Sequence, residues 1–186
     1  ATVLVLIAAP GSDAINDAVL GVVGTPPLWL SKGEAADFAA PSDLEKLRRV
    51  SQGDFLAATL PILFLSRDGE RGLERALDAL CRRASLMIKS GYTLLILSDR
   101  GIDEEYAPIP SLLALSAVHN YLVREGSRTQ VALIIESGEP REVMHFALLI
   151  GYGASAVNPY LAIETLEDLA RRGELPEHIP FDKALY

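Results

Sequence analysis

One stretch, Leu94–Gly101 with the sequence LLILSDRG, constrains the fold of this chain more than any other. Four apolar residues end abruptly in Ser98, Asp99 and Arg100. An apolar run this short predicts a strand that is buried on both faces, as strands of parallel sheets are. Ligands of open α/β sheets and α/β barrels bind beyond the carboxyl ends of the strands. The polar residues after this strand are therefore the first candidates for a functional site.

Further apolar runs alternate with amphipathic segments along the chain. Besides the strand at Leu94, the sequence predicts strands at Thr2–Ala9, Thr59–Ser66, Gln130–Glu136 and Ala154–Val157. It predicts helices at Ala14–Leu20, Ser42–Val50, Asp68–Ser90, Ser111–Glu125, Arg141–Ile150 and Ile163–Arg172. Such alternation indicates a single α/β domain over residues 1–186, with a mostly parallel β-sheet flanked by helices.

Charge and cysteine content exclude several classes of protein. The net charge is −8 and no basic block occurs, which argues against a nucleic-acid or anionic-membrane surface. Cys81, the one cysteine, lies on the apolar stripe of the longest predicted helix, so it is interpreted as a core residue in a cytoplasmic protein. The opening TVLVLIAA is too short to span a bilayer, and a start at Ala1 is typical of a processed or excised chain.

Six polar residues near the predicted strand ends are candidates for contacts between loops or with a neighbouring surface: Ser98, Asp99, Arg100, Glu136, Glu139 and Arg141. The alternative is a site for a small anionic metabolite, clamped by Arg100 and Arg141. Glu136 and Glu139 precede a predicted helix, where they would repel a phosphate and complement the positive end of the helix dipole.

Other polar groups fit structural roles better than chemical ones. The acidic run at residues 103–105 would bind Mg²⁺ only if its carboxylates converged, and a solvated turn is the simpler interpretation. His119 and His145 each lie within a predicted helix, and packing is favoured over a shared site. The glycines at Gly151 and Gly153 follow a helix, so they predict a helix stop and not a dinucleotide-binding turn.

Four ordered strings resemble the central domain of the large (alpha) subunit of glutamate synthase: SDRG at Ser98–Gly101, APIPSLLA at Ala107–Ala114, ESGEPREV at Glu136–Val143 and GYGASAVNPYLA at Gly151–Ala162. The resemblance covers about residues 42–175. It leaves residues 1–41 unmatched and residues 176–186 as a tail or linker.

The resemblance implies a partial or degenerate (β/α) barrel that carries no catalytic residue, cofactor or metal ligand of its own. It also implies a role in ammonia assimilation, as the connecting domain between an amidotransferase domain and an FMN-binding synthase domain. The parent enzyme makes glutamate from glutamine and 2-oxoglutarate with FMN and an iron–sulfur cluster, for which this chain shows no ligand set. His119, Asn120 and Tyr121 stand where family members often carry several histidines, which disfavours a metal or proton-relay role.

Overall fold

A computed structural model describes residues 44, 48, 49, 51, 52 and 55–175. The predicted strand Thr2–Ala9, the predicted helix Ala14–Leu20 and the tail from residue 176 lie outside the described residues. Leu44 and Arg48 are helical, in agreement with the helix predicted over Ser42–Val50. The proposed caps of that helix, Ser42 and Glu45, are not among the described residues.

The strand predicted first is central in the main sheet. The strands are β1 (Ser51–Gln52), β2 (Phe55–Pro61), β3 (Leu63–Leu65), β4 (Leu94–Ser98), β5 (Tyr106–Pro108), β6 (Ala132–Glu136) and β7 (Ala156–Asn158). The main sheet has the order β1-β2-β4-β6-β7, in which β2, β4, β6 and β7 are parallel and β1 is antiparallel. All five residues of β4 are buried, which confirms the prediction, and this sheet stays open within the described residues.

The strand predicted at Thr59–Ser66 is wrong in its bounds. It begins at Phe55 and is interrupted at Ile62, whose backbone N–H donates to the carbonyl of Ser98 at 2.8 Å. Beyond Ile62 the chain leaves the main sheet, and β3 pairs antiparallel with β5, a strand that is not among those predicted from the sequence. The cause is a pairing partner more than forty positions away, which a local apolar pattern does not reveal.

Within residues 55–175, the α-helices that connect and cover the strands are α1 (Gly69–Lys89), α2 (Ser111–Glu125), α3 (Val143–Gly151) and α4 (Tyr160–Arg172). The bounds of α1 and α2 agree with the sequence prediction to within one residue. Helix α4 begins three residues earlier than predicted, directly after Pro159. Gly126 and Gly173 end α2 and α4 in the left-handed conformation that glycine tolerates best.

The side chains of β4 alternate between two apolar layers. Leu95 and Leu97 join the larger cluster, which includes residues of α1, α2 and α3. Leu94 and Ile96 point to the opposite face, where Leu44 packs. Cys81 is buried in the larger cluster, as predicted, and burial followed by the nearby Asp78 charge raises the pKa of its thiol. Within the described part of the chain, no helix is long and apolar enough to cross a membrane.

Candidate functional site

The four parallel strands end in register, which brings their last residues into one row. Pro61 pairs with Ser98, Ser98 pairs with Glu136, and Glu136 pairs with Asn158. Ser98, Glu136 and Asn158 are all buried, although each carries a polar side chain. We call the edge of the sheet at the C-terminal ends of these strands, where this row lies, the carboxyl edge. Buried polar groups require hydrogen-bond partners, so the partners of these side chains determine whether the carboxyl edge can bind a ligand.

Glu136 is the centre of the carboxyl edge. Its carboxylate is buried, with 2% of the side chain exposed, and it accepts hydrogen bonds from three donors. The Ser98 hydroxyl lies at 2.5 Å, the Arg100 Nε–H at 2.8 Å, and the Arg48 guanidinium also donates to it. Two cations therefore compensate, and one hydroxyl solvates, a charge that would otherwise be costly to bury.

Arg100 extends this network to helix α4. A second nitrogen of its guanidinium donates to Glu164 at 3.0 Å, and its central carbon lies 3.8 Å from the centroid of the Tyr160 ring. This geometry is a cation–π contact. Burial alone lowers the pKa of Arg100, but hydrogen bonds with Glu164 and Glu136 outweigh it and raise that pKa. Arg100 is thus a permanent cation that joins β4, β6 and α4.

Asp99 forms a second buried group beside the first. Its carboxylate, 1% exposed, accepts from the Ser137 hydroxyl at 2.6 Å and the Gly138 N–H at 3.0 Å. The Tyr160 hydroxyl also interacts with this carboxylate. Burial, and then the hydrogen bond with Asp99, raises the pKa of Tyr160. Asp99 therefore fixes the loop after β6 and the first turn of α4 to the end of β4.

Glu139 and Arg141 lie apart from this network. The Glu139 carboxylate accepts from the backbone N–H of Ser111 at 2.8 Å and from its hydroxyl at 2.5 Å. Glu139 therefore caps the N-terminus of α2, and not the helix that follows it in the sequence. Arg141 is exposed and, with Glu139, Ser111 and His145, lines a pocket of about 330 Å³ between α2 and α3.

Four residues of the network were missed by sequence reasoning, and one of them, Arg48, lies in a segment for which only a helix was predicted. Tyr160 and Glu164 lie one turn apart at the start of α4, and the helix was predicted to begin only at Ile163, after Tyr160. Their spacing of four would have placed both on one helix face had Pro159 been interpreted as the helix start. Ser137 carries no local signal, because its partner Asp99 is thirty-eight positions away.

The two helical histidines have separate partners. His119 Nδ1 accepts from Arg128 Nε at 3.0 Å, while the other Arg128 nitrogens donate to the carbonyls of Val131 and Gly153, each at 2.7 Å. Burial, followed by the Arg128 charge, lowers the pKa of His119. His145 Nδ1 instead accepts backbone N–H groups at the start of α3. Both side chains therefore hold the fold together.

The arrangement of the described residues does not favour binding of a metal ion. Among the described residues, no group of three or more His, Cys, Asp or Glu side chains is placed to hold a metal. Asp103, in the acidic run, accepts the N–H groups of Glu105 and Tyr106 in a local turn.

The fold and the carboxyl edge define an α/β domain whose strand-end polar groups bind one another. A family model described as "Glutamate synthase central domain" matches residues 37–185. The chain belongs to this family.

Full-length relatives agree with this assignment. The chain is 47% identical over 129 residues to "Glutamate synthase [NADPH] large chain" of Bacillus subtilis, covering 69% of this chain and 8% of that protein. It is 40% identical over 132 residues to "Glutamate synthase [NADH]" of Schizosaccharomyces pombe, covering 71% of this chain and 6% of that protein. It is 40% identical over 134 residues to the chloroplastic ferredoxin-dependent enzyme of Spinacia oleracea, covering 64% of this chain and 8% of that protein.

Proposed function

We propose that this chain is a non-catalytic connecting domain of a cytoplasmic glutamate synthase. In this role it holds an amidotransferase domain and an FMN-binding synthase domain at a fixed distance and orientation. Ammonia released from glutamine in one domain then reaches 2-oxoglutarate in the other. The FMN and the iron–sulfur cluster of the parent enzyme would be held by those other domains and not by this one.

The carboxyl edge is the observation that carries this proposal. In a catalytic α/β domain this edge presents polar groups to a ligand. Here Glu136 and Asp99 are buried, and the contacts described for them are with groups of the chain itself: Ser98, Arg100 and Arg48 for one, Ser137, Gly138 and Tyr160 for the other. An edge built in this way supports rigidity, which a spacer between two active sites needs.

A small anionic metabolite bound by Arg100 and Arg141 is the second candidate, and the geometry favours it less. Arg100 already donates to two carboxylates and lies over the Tyr160 ring. Arg141 lines the pocket between α2 and α3, of which Arg100 is not a part. A ligand that used both guanidinium groups would therefore have to displace Glu136 or Glu164 from Arg100.

Two measurements test the proposed function. The purified chain should show no flavin absorbance, no glutaminase activity and no thermal stabilisation by 2-oxoglutarate, glutamine, glutamate or FMN at saturating concentrations. In the native polypeptide, Arg100→Ala should lower the glutamate formed per glutamine hydrolysed more than it lowers glutamine hydrolysis itself. Glu164→Gln, which removes only the exposed partner of Arg100, is the matched control. A flavin bound to the chain, or unchanged coupling in Arg100→Ala, would refute the proposal.

A further inference from the structure

Helix α3 is apolar on both of its faces. Its sequence, VMHFALLIG, contains one polar side chain, that of His145. Phe146 and Leu149 pack into the larger core cluster, as one face of a surface helix should. Helices that are hydrophobic all round are normally buried on all sides. The opposite face of α3 therefore requires an explanation.

That opposite face is exposed and carries no formal charge. Val143 is 86% exposed, Met144 61%, Leu148 41% and Tyr152, just after the helix, 47%. Ala147 and Gly151 complete the same strip, because residues at spacings of three and four lie side by side on a helix. We call these six residues the α3 face.

Helices α1 and α4 show that such a face is not a general property of this fold. The sequence of α1 carries several arginines and glutamates, and the last turns of α4 pair Asp168 with Arg171 and Arg172. Isolated exposed apolar residues, such as Leu86 on α1, are normal on protein surfaces. A continuous apolar strip on one helix indicates an interaction surface.

A pocket adjoins the α3 face and adds shape to it. Leu148 belongs to both. The apolar wall of the pocket includes Leu112 and Leu149, and polar groups, Glu139 and Arg141 among them, line the rest. Its volume of about 330 Å³ is enough for one large apolar side chain. An apolar strip beside a pocket suits a partner that places an apolar side chain in the pocket.

We propose that the α3 face docks against an uncharged, apolar surface of a neighbouring domain in the same polypeptide. That domain inserts an apolar side chain into the pocket beside the α3 face. The inference rests on the proposed function. This occupant follows from two observations. The chain spans only 6–8% of its full-length relatives, so most of such a polypeptide lies outside it. In a chain of net charge −8, a strip without charge selects an apolar partner over a charged one.

The two methionines of the chain provide a direct test in the native polypeptide. Met87 packs against the core and Met144 lies on the α3 face, so in an uncovered domain hydrogen peroxide should oxidise Met144 faster. If a neighbouring domain covers the face, Met144 oxidises no faster than Met87. Oxidation of Met144 ahead of Met87 would overturn the inference, as would protection that disappears on dilution, which would identify a second copy as the occupant.

A charged substitution tests the same surface through its energetics. Met144→Glu places a carboxylate in the first turn of α3, where the helix dipole tolerates it, so the domain itself should remain folded. In the native polypeptide it should speed proteolytic release of the domain about tenfold, because a buried charge opens the interface. Leu86→Glu, a similar change at a residue 56% exposed on α1, should have no such effect. Equal rates of proteolytic release for Met144→Glu and Leu86→Glu would overturn the inference. If glutamine hydrolysis then stayed coupled to glutamate formation in Met144→Glu, the proposed function would still stand.

Discussion

Replacing Glu136 by glutamine isolates the charge at the centre of the carboxyl edge. The change keeps the shape of the side chain but removes the negative charge from a group that is 2% exposed. It also turns one acceptor into an N–H donor that faces Arg100 or Arg48. Breaking a buried ion pair costs about 3–5 kcal/mol, and the lower end, about 3 kcal/mol, applies because Arg100 is 44% exposed and keeps Glu164 as a partner. For a chain of 186 residues this corresponds to a melting temperature lower by about 6–12 °C.

Urea unfolding at neutral pH, followed by circular dichroism, measures the free energy directly. The matched control is Glu164→Gln, which removes the other carboxylate partner of the same guanidinium. Since Glu164 is 52% exposed, that variant should lose only about 0.5 kcal/mol. A loss below about 1 kcal/mol for Glu136→Gln, or equal losses for both variants, would show that the edge does not depend on this charge.

Three further predictions concern other parts of the fold. Gly153→Ala should destabilise the chain by about 2 kcal/mol or more. The added Cβ would lie 2.2 Å from His119 Nδ1, and the φ angle of Gly153 is +104°. Gly126→Ala, with φ of +79° and no atom within 4 Å, should cost only about 1 kcal/mol in the same unfolding assay. Glu139→Gln should cost about 1 kcal/mol by weakening the cap of α2, and thermal melts with Glu139→Asp as the comparison would check it. Burial and the Arg128 charge hold the pKa of His119 below 6.5, so below that pH the unfolded chain binds more protons than the folded chain. The free energy of unfolding should therefore fall on acidification from pH 6.5. His119→Gln should flatten this dependence in thermal melts recorded at several pH values.

Local pattern was enough to predict much of the fold. The apolar run at residues 94–97 identified the central strand, and the apolar stripe of α1 gave its bounds to within one residue. Gly91 and Gly126, which follow α1 and α2, both have the positive φ angles that glycine tolerates at helix ends. These features depend on residues close together in the sequence, where periodicity and turn chemistry act.

The contacts of the candidate site could be predicted only in part. The sequence identified six polar residues near strand ends, and the structure divides them into two groups. Ser98, Asp99, Arg100 and Glu136 lie at the carboxyl edge, while Glu139 and Arg141 lie beside the pocket between α2 and α3. Tyr160 was missed because α4 starts earlier than its apolar pattern indicates.

By itself, the sequence determined that the chain is an α/β domain, which strand is central, and to which family it belongs. Only the tertiary structure decided that the four strands end in register, so that Ser98, Glu136 and Asn158 form one row. It also decided that Glu139 caps α2, and that α3 leaves an apolar face exposed. The physical reason is that register, ion pairing and burial are set by partners tens of residues apart, whose choice depends on how the whole core packs.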